Sequence, residues 1–148
     1  MFVILVIAAI ALCLLLAMWL MRMKDQRKLV QHSITADALH ALLAANKEIL
    51  VFDVRQPLDL LADAEIIPGS KRIPPKELLE NPSLIPRERD SVLYCTCATD
   101  ETARRIVKIA LSLNFLQTKF LKGGLAAWKA MGYSVVPYEQ SFHLDTRT

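Results

Sequence analysis

No charged side chain interrupts the first 21 residues, Met1 to Met21, and none of them is strongly polar. As a helix at ~1.5 Å per residue this stretch reaches about 31 Å, the thickness of a bilayer's hydrocarbon core. Trp19 falls near its far end, where an interfacial aromatic belongs. Arg22, Lys24, Arg27 and Lys28 follow, opposed only by Asp25. A cleaved secretory signal would carry charge ahead of a shorter apolar core and small residues after it. Here only the terminal amine precedes the run, and Met18-Trp19-Leu20-Met21 is a poor cleavage site. Residues 1–21 are therefore expected to be an uncleaved single-pass membrane anchor. The basic flank, a linker over residues 22–33 that can continue the helix, then places the rest of the chain in the cytoplasm. Cys13, inside the apolar run, reads as small apolar filler.

The remainder of the 148 residues suffices for one domain with its own core. Residues 1–28 hold four basic and one acidic residue, so the rest holds fourteen of each sign. The chain's net charge of +3 thus belongs to the membrane flank. No basic stripe interleaved with aromatics exists, which excludes a nucleic-acid surface. Cys95 and Cys97 are the only other cysteines. A disulfide between residues so close would be strained, so free thiols in a reducing compartment are expected.

Periodicity then places the elements. Thr35 suits the N-cap of a helix over 36–45, with Leu39, Leu42 and Leu43 on one face. The run from Glu48 to Val54 is nearly all apolar, as in a parallel strand covered on both sides. A short helix is expected over 57–64, opened by Pro57, then a loop at Ile66-Ile67-Pro68-Gly69 and a brief strand at 71–73. Pro74-Pro75 opens another short helix near 76–80. A strong strand runs over 92–95, followed by a helix over 101–113 with Ile106, Ile109, Ala110 and Leu113 facing the core. A third strand at 118–121 leads through Gly123-Gly124 into a helix over 125–131 that stops at Gly132. This alternation predicts an α/β domain with a parallel sheet flanked by helices. The expected division is an anchor at 1–21, a basic linker at 22–33, the domain at 34–138 and a tail at 139–148.

One junction carries chemistry. Ser91-Val92-Leu93-Tyr94 ends at Cys95, and a helix opens near Glu101. A cysteine between a strand end and a helix start sits among unpaired backbone N–H groups at the positive end of the helix dipole. Those groups favour a thiolate and hold anions. Such a site needs no metal or organic cofactor. His32, His40 and His143 have no ligand spacing to the cysteines, which argues against a metal centre.

Four stretches in order resemble a single rhodanese homology domain between about Ser33 and Pro137. Val51-Phe52-Asp53-Val54-Arg55 is similar to the family's strand ending in D-V-R, and Ile67-Pro68-Gly69-Ser70 to its I-P-G-A. Tyr94-Cys95 begins its active-site loop. Leu121-Lys122-Gly123-Gly124-Leu125-Ala126-Ala127-Trp128, with Gly132-Tyr133 beyond, is similar to its L-x-G-G-x-x-x-W…G-Y ending. The resemblance implies a sulfurtransferase. Cys95 would take a sulfane sulfur from a donor such as thiosulfate or a protein persulfide, and pass it to a thiol or cyanide. Backbone amides of Thr96, Cys97, Ala98, Thr99, Asp100 and Glu101 would cradle the outer sulfur. Asp53 and Arg55 would brace the loop, Arg55 through an ion pair. Trp128 would be core.

The family's usual loop reads C-x-x-G-x-R. Here Ala98 stands at the glycine and Asp100 at the arginine. The second exchange alters local charge by two units, each worth roughly 3 kcal/mol at about 6 Å and a dielectric near 20. An Asp100 carboxylate facing the pocket would weaken thiosulfate binding and raise the Cys95 pKa. One facing outward as an N-cap of the next helix would not. The loop also resembles a C-x-C-P-x-E/D variant of some bacterial rhodanese-like domains, with Ala98 in place of the proline. Cys97 is expected to be a small loop residue, the alternative being a resolving thiol. Arg104 or Arg105 could stand in for the absent arginine or form a solvated face. A phosphatase-like reading requires the loop arginine that Asp100 replaces. The remaining alternative is a catalytically impaired rhodanese-like binding or thiol-redox module at the membrane.

Overall fold

The computed structural model describes residues 1–96 and 100–139. It divides into two units, Met1–Gln31 and His32–Thr148. The first is one helix, α1 (Phe2–Gln31). The basic linker is therefore helical almost to its end, because nothing between Arg22 and Gln31 is a helix breaker. The large apolar side chains from Val3 to Met21 are exposed. The helix is long and apolar enough to cross a membrane.

The second unit is built on a sheet of five parallel strands. In chain order its elements are β1 (Ser33–Ile34), α2 (Ala36–Ala44), β2 (Leu50–Asp53), α3 (Pro57–Ala62), β3 (Glu65–Ile66), β4 (Lys71–Arg72) and α4 (Pro75–Glu80). A 3₁₀ turn over Pro82–Leu84 leads to β5 (Ser91–Tyr94), α5 (Glu101–Ser112), β6 (Thr118–Leu121), α6 (Gly124–Ala130) and β7 (Val136–Pro137). The strand order is β1-β6-β5-β2-β4, every pair parallel. A separate antiparallel pair joins β3 to β7. The segment expected as a loop at Ile66 thus begins inside a two-residue strand, made by pairing with residues about seventy positions on. Helix α2 packs on α6, and α4 on α5.

The chemistry of the elements matches their sequences. Thr35 caps α2, its hydroxyl accepting from the Ala38 N–H at 3.3 Å. β2 and β5 sit in the middle of the sheet, and Val51, Phe52, Val92, Leu93 and Tyr94 are all buried. Each such side chain removed from water contributes roughly 1.5–3 kcal/mol. On α5 the buried stripe is Ala103, Ile106, Val107 and Ala110, an i, i+3, i+4, i+7 pattern. Leu113, expected in that face, is 41% exposed, because the helix ends one residue before it. Trp128 lies in the core, its indole N–H donating to the Ser134 carbonyl at 2.9 Å.

Register carries the functional segments to one edge. Asp53 pairs with Tyr94, and Leu93 with Phe120. The residues just beyond β2, β5 and β6 therefore emerge side by side at the carboxyl end of the sheet, where open α/β folds place their sites.

Candidate functional site

Cys95 is the first residue beyond β5, and it is 2% exposed. Two contacts from the neighbouring β6–α6 connection hold its backbone. The Leu125 N–H donates to its carbonyl oxygen at 3.0 Å. Gly124, with φ of +54°, lies against the same carbonyl so closely that a Cβ there would sit 2.0 Å from the oxygen. No side chain fits that approach, and the left-handed backbone further favours glycine. Gly123, at φ +72°, is confined in the same way: a Cβ on it would meet the Ala127 Cβ at 2.7 Å. The Gly-Gly pair is thus more than a tight turn. It is what lets the start of α6 dock on the cysteine's peptide.

Asp100 occupies the position before α5, with φ 54° and ψ 22°, a left-handed conformation that Asp tolerates better than most residues. Its carbonyl accepts from the Arg104 N–H at 2.8 Å, but its carboxylate does not cap the helix. The carboxylate instead turns to the β6–α6 turn, and Oδ2 accepts from the Gly123 N–H at 2.7 Å. The N-cap reading is corrected on this point: a tertiary donor outcompetes the helix's own first N–H groups. Asp100 is 6% exposed, and its Oδ1 is buried without a hydrogen-bond partner among the described residues. Burial pushes the carboxyl pKa above its ordinary value, against the Gly123 N–H and the charge of Arg104, which both pull it down. Thr96 Oγ1 is likewise buried without a partner among the described residues. Glu101 opens α5 with an exposed side chain. Cys97, Ala98 and Thr99 lie outside the described residues.

Asp53 and Arg55 form an ion pair. Asp53 and Arg55 are both 0% exposed, and Arg55 Nη2 meets Asp53 Oδ2 at 2.6 Å. The Arg55 Nε–H donates to the same carboxylate at 2.9 Å. The rest of the guanidinium donates to the Asp63 and Glu65 carbonyls at 2.7 and 2.9 Å, tying down the segment from α3 to β3. Burial disfavours the charge, but the hydrogen bond and charge of Asp53 outweigh it and hold the Arg55 pKa above its ordinary value. The Tyr94 hydroxyl donates to Asp53 Oδ2 at 3.2 Å and accepts from the Ile67 N–H at 3.3 Å. Ser70 Oγ lies 3.1 Å from the same hydroxyl. Burial, then the nearby Asp53 charge, push the Tyr94 phenol well above its ordinary pKa. The residue immediately before the cysteine is therefore pinned at its ring tip. The sequence reading of Tyr94 as a strand residue missed this. The signal available was Ser70, at the end of the Ile67-Pro68-Gly69-Ser70 stretch.

Arg104 lies with its guanidinium carbon 5.6 Å from the Phe120 ring centroid, while Arg105 is exposed. Among the described residues no group of His, Cys, Asp and Glu could hold a metal ion.

The rhodanese-like domain family matches residues 35–131. The chain is similar to a sulfurtransferase of Allochromatium vinosum, 25% identical over 108 residues, covering 73% of this chain and 97% of the other. Among solved structures, a rhodanese-related protein of Thermoplasma volcanium is 30% identical with a TM-score of 0.59, over 71% of this chain and 97% of that one. The Alr3790 protein of Anabaena is 28% identical with a TM-score of 0.60, over 70% and 82%. A parallel sheet with a cysteine at the carboxyl end of its central strand and these sequence matches define one class of protein. This chain belongs to the rhodanese-like family.

Proposed function

We propose that the domain is a sulfurtransferase that moves a sulfane sulfur through a persulfide on Cys95. The thiolate of Cys95 attacks the outer sulfur of a donor, thiosulfate or a persulfide. The donor's S–S bond breaks and its remainder leaves as sulfite or a thiolate. An acceptor thiolate or cyanide then attacks the outer sulfur of the Cys95 persulfide, and the Cys95 thiolate is restored. The observation that carries this reading is the seating of Cys95 between the end of β5 and the start of α5, with its carbonyl held by the Leu125 N–H at 3.0 Å. A helix that opens a few residues after a cysteine favours a charged sulfur there. The backbone of residues 96–101 supplies the cradle in this reading. The Asp53–Arg55–Tyr94 network keeps the strand ends in register beneath it.

The test is Cys95→Ser in the full chain held in detergent. Thiocyanate production from cyanide should disappear while thermal unfolding is little changed. Persisting activity would contradict the assignment. We also propose that α1 anchors the domain at the cytoplasmic face, because its basic residues follow the apolar run. Protease added outside intact cells should leave the domain whole and should remove it from inverted vesicles. The opposite pattern would reverse the orientation.

A further inference from the structure

Among the described residues, three features meet at Asp100 and at no other carboxylate of the site. It is buried at 6% exposure, it stands next to the reacting residue's own peptide, and only one of its oxygens is satisfied. A Cβ built on Gly124 would lie 2.0 Å from the Cys95 carbonyl oxygen and 3.6 Å from Asp100 Oδ1. Those two distances place Oδ1 within about 6 Å of the cysteine's carbonyl oxygen. Among the described residues, the groups that act on the carboxylate are the Arg104 cation from α5 and the Gly123 N–H from the β6–α6 turn. A negative charge so placed repels a second anion brought to the cysteine, and low local polarity strengthens the repulsion.

Resting on the sulfurtransferase reading, we propose that Asp100 selects the donor: it turns away thiosulfate and admits persulfides. Thiosulfate must bring two negative charges to the outer sulfur's attachment point, and its leaving group is the anion sulfite. A persulfide brings at most one negative charge to the reacting sulfurs, and its protonated form R–S–SH brings none. The Cys95 thiolate bonds to the outer sulfur, the R–S bond to that sulfur breaks, and R–S⁻ departs with the bonding pair. The proton stays on the transferred sulfur, leaving Cys95–S–SH. Asp100 takes no proton and makes no bond in this step. It acts by charge alone, held in place by Gly123.

Asp100→Asn tests this, because the amide oxygen can still accept from the Gly123 N–H and Asn tolerates the left-handed backbone. The readout is the ratio of kcat/KM for thiosulfate to kcat/KM for a small organic persulfide, measured on the full chain in detergent. Any general damage to the loop cancels in that ratio. In the wild-type chain the persulfide should be strongly preferred. In Asp100→Asn the ratio should rise by about a hundredfold, the order expected for removing one charge several ångströms from a dianion. A ratio that stays put or falls would overturn the assignment. A second measurement needs no variant: thiosulfate should fail to compete with the persulfide at millimolar concentration in the wild-type chain, and tight competition would equally overturn it. If neither donor loads sulfur on Cys95, the sulfurtransferase reading itself fails, and this assignment with it.

Discussion

The domain buries two carboxylates at the carboxyl end of its sheet and treats them in opposite ways. Asp53, at the end of β2, is saturated. It accepts from the Arg55 guanidinium, the Arg55 N–H and the Tyr94 hydroxyl. Asp100, before α5, has one backbone N–H and an oxygen without a partner among the described residues. A saturated buried pair is rigid and specifies one arrangement. A half-satisfied buried carboxylate is costly to hold in its charged form. In the function proposed above, the first belongs to the scaffold and the second to the chemistry. The contrast teaches that burial alone does not tell a structural acid from a functional one.

The comparison breaks most visibly at Arg55. Arg55→Met removes the cation and leaves Asp53 buried and uncompensated, which should destabilise the domain by about 3–5 kcal/mol. Urea unfolding followed by tryptophan fluorescence reads this, with Trp128 in the core as reporter. A loss below about 1 kcal/mol would show the pair to be marginal to the scaffold.

Gly124→Ala comes next. Its Cβ would sit 2.0 Å from a backbone oxygen, which has no flexible side chain to move aside. A loss of about 2–3 kcal/mol is expected from the overpacking and the left-handed backbone together. Sulfur transfer should fall further than stability does, because the peptide that must shift is that of Cys95.

Asp100→Asn sharpens the contrast, since it should act in the opposite direction from Arg55→Met. Burial raises the Asp100 pKa in the folded state above that of the unfolded chain. The ionised group therefore opposes folding at pH values above its folded pKa. That penalty fades as pH falls, because the folded state takes up the proton first, and it is gone below the unfolded pKa. The variant should be more stable than the wild type at neutral pH, and the two should converge toward pH 3. A variant less stable at neutral pH would mean that Asp100 is scaffold after all.

Lys129 provides the smallest effect. It pairs with Asp63 at 2.6 Å and Glu65 at 2.5 Å, linking α6 to the same segment that Arg55 ties, but at partly exposed positions. Hydrogen bonding by Lys129 is the main cause that lowers the Asp63 pKa. Lys129→Ala should lose at most about 1 kcal/mol, and less in high salt.

Much of this architecture can be read from residue order. The central strands are apolar runs long enough to stand out, and the helices between them follow from caps and spacing. The two-residue strands at 33–34, 65–66 and 136–137 cannot be read that way. Each exists only because a distant partner pairs with it, Ser33 with Phe120 for example. Leu113, expected on the core face of α5, falls outside it while Val107 lies inside, because helical spacing alone does not say where α5 stops. At the site, Cys95 and the Asp53–Arg55 pair were legible through local motifs. The direction of Asp100 was not, since the choice between capping α5 and meeting Gly123 is made by a donor 23 residues away. The tight approach of Gly124 to Cys95 has the same origin.

The most direct test of the account is the intact mass of the full chain in detergent after incubation with an organic persulfide and removal of the donor. The account predicts a gain of one sulfur atom, located on Cys95, released as thiocyanate by cyanide and absent in Cys95→Ser. A chain that gains no sulfur, or gains it equally when Cys95 is serine, would contradict the claim that this residue carries the transferred atom.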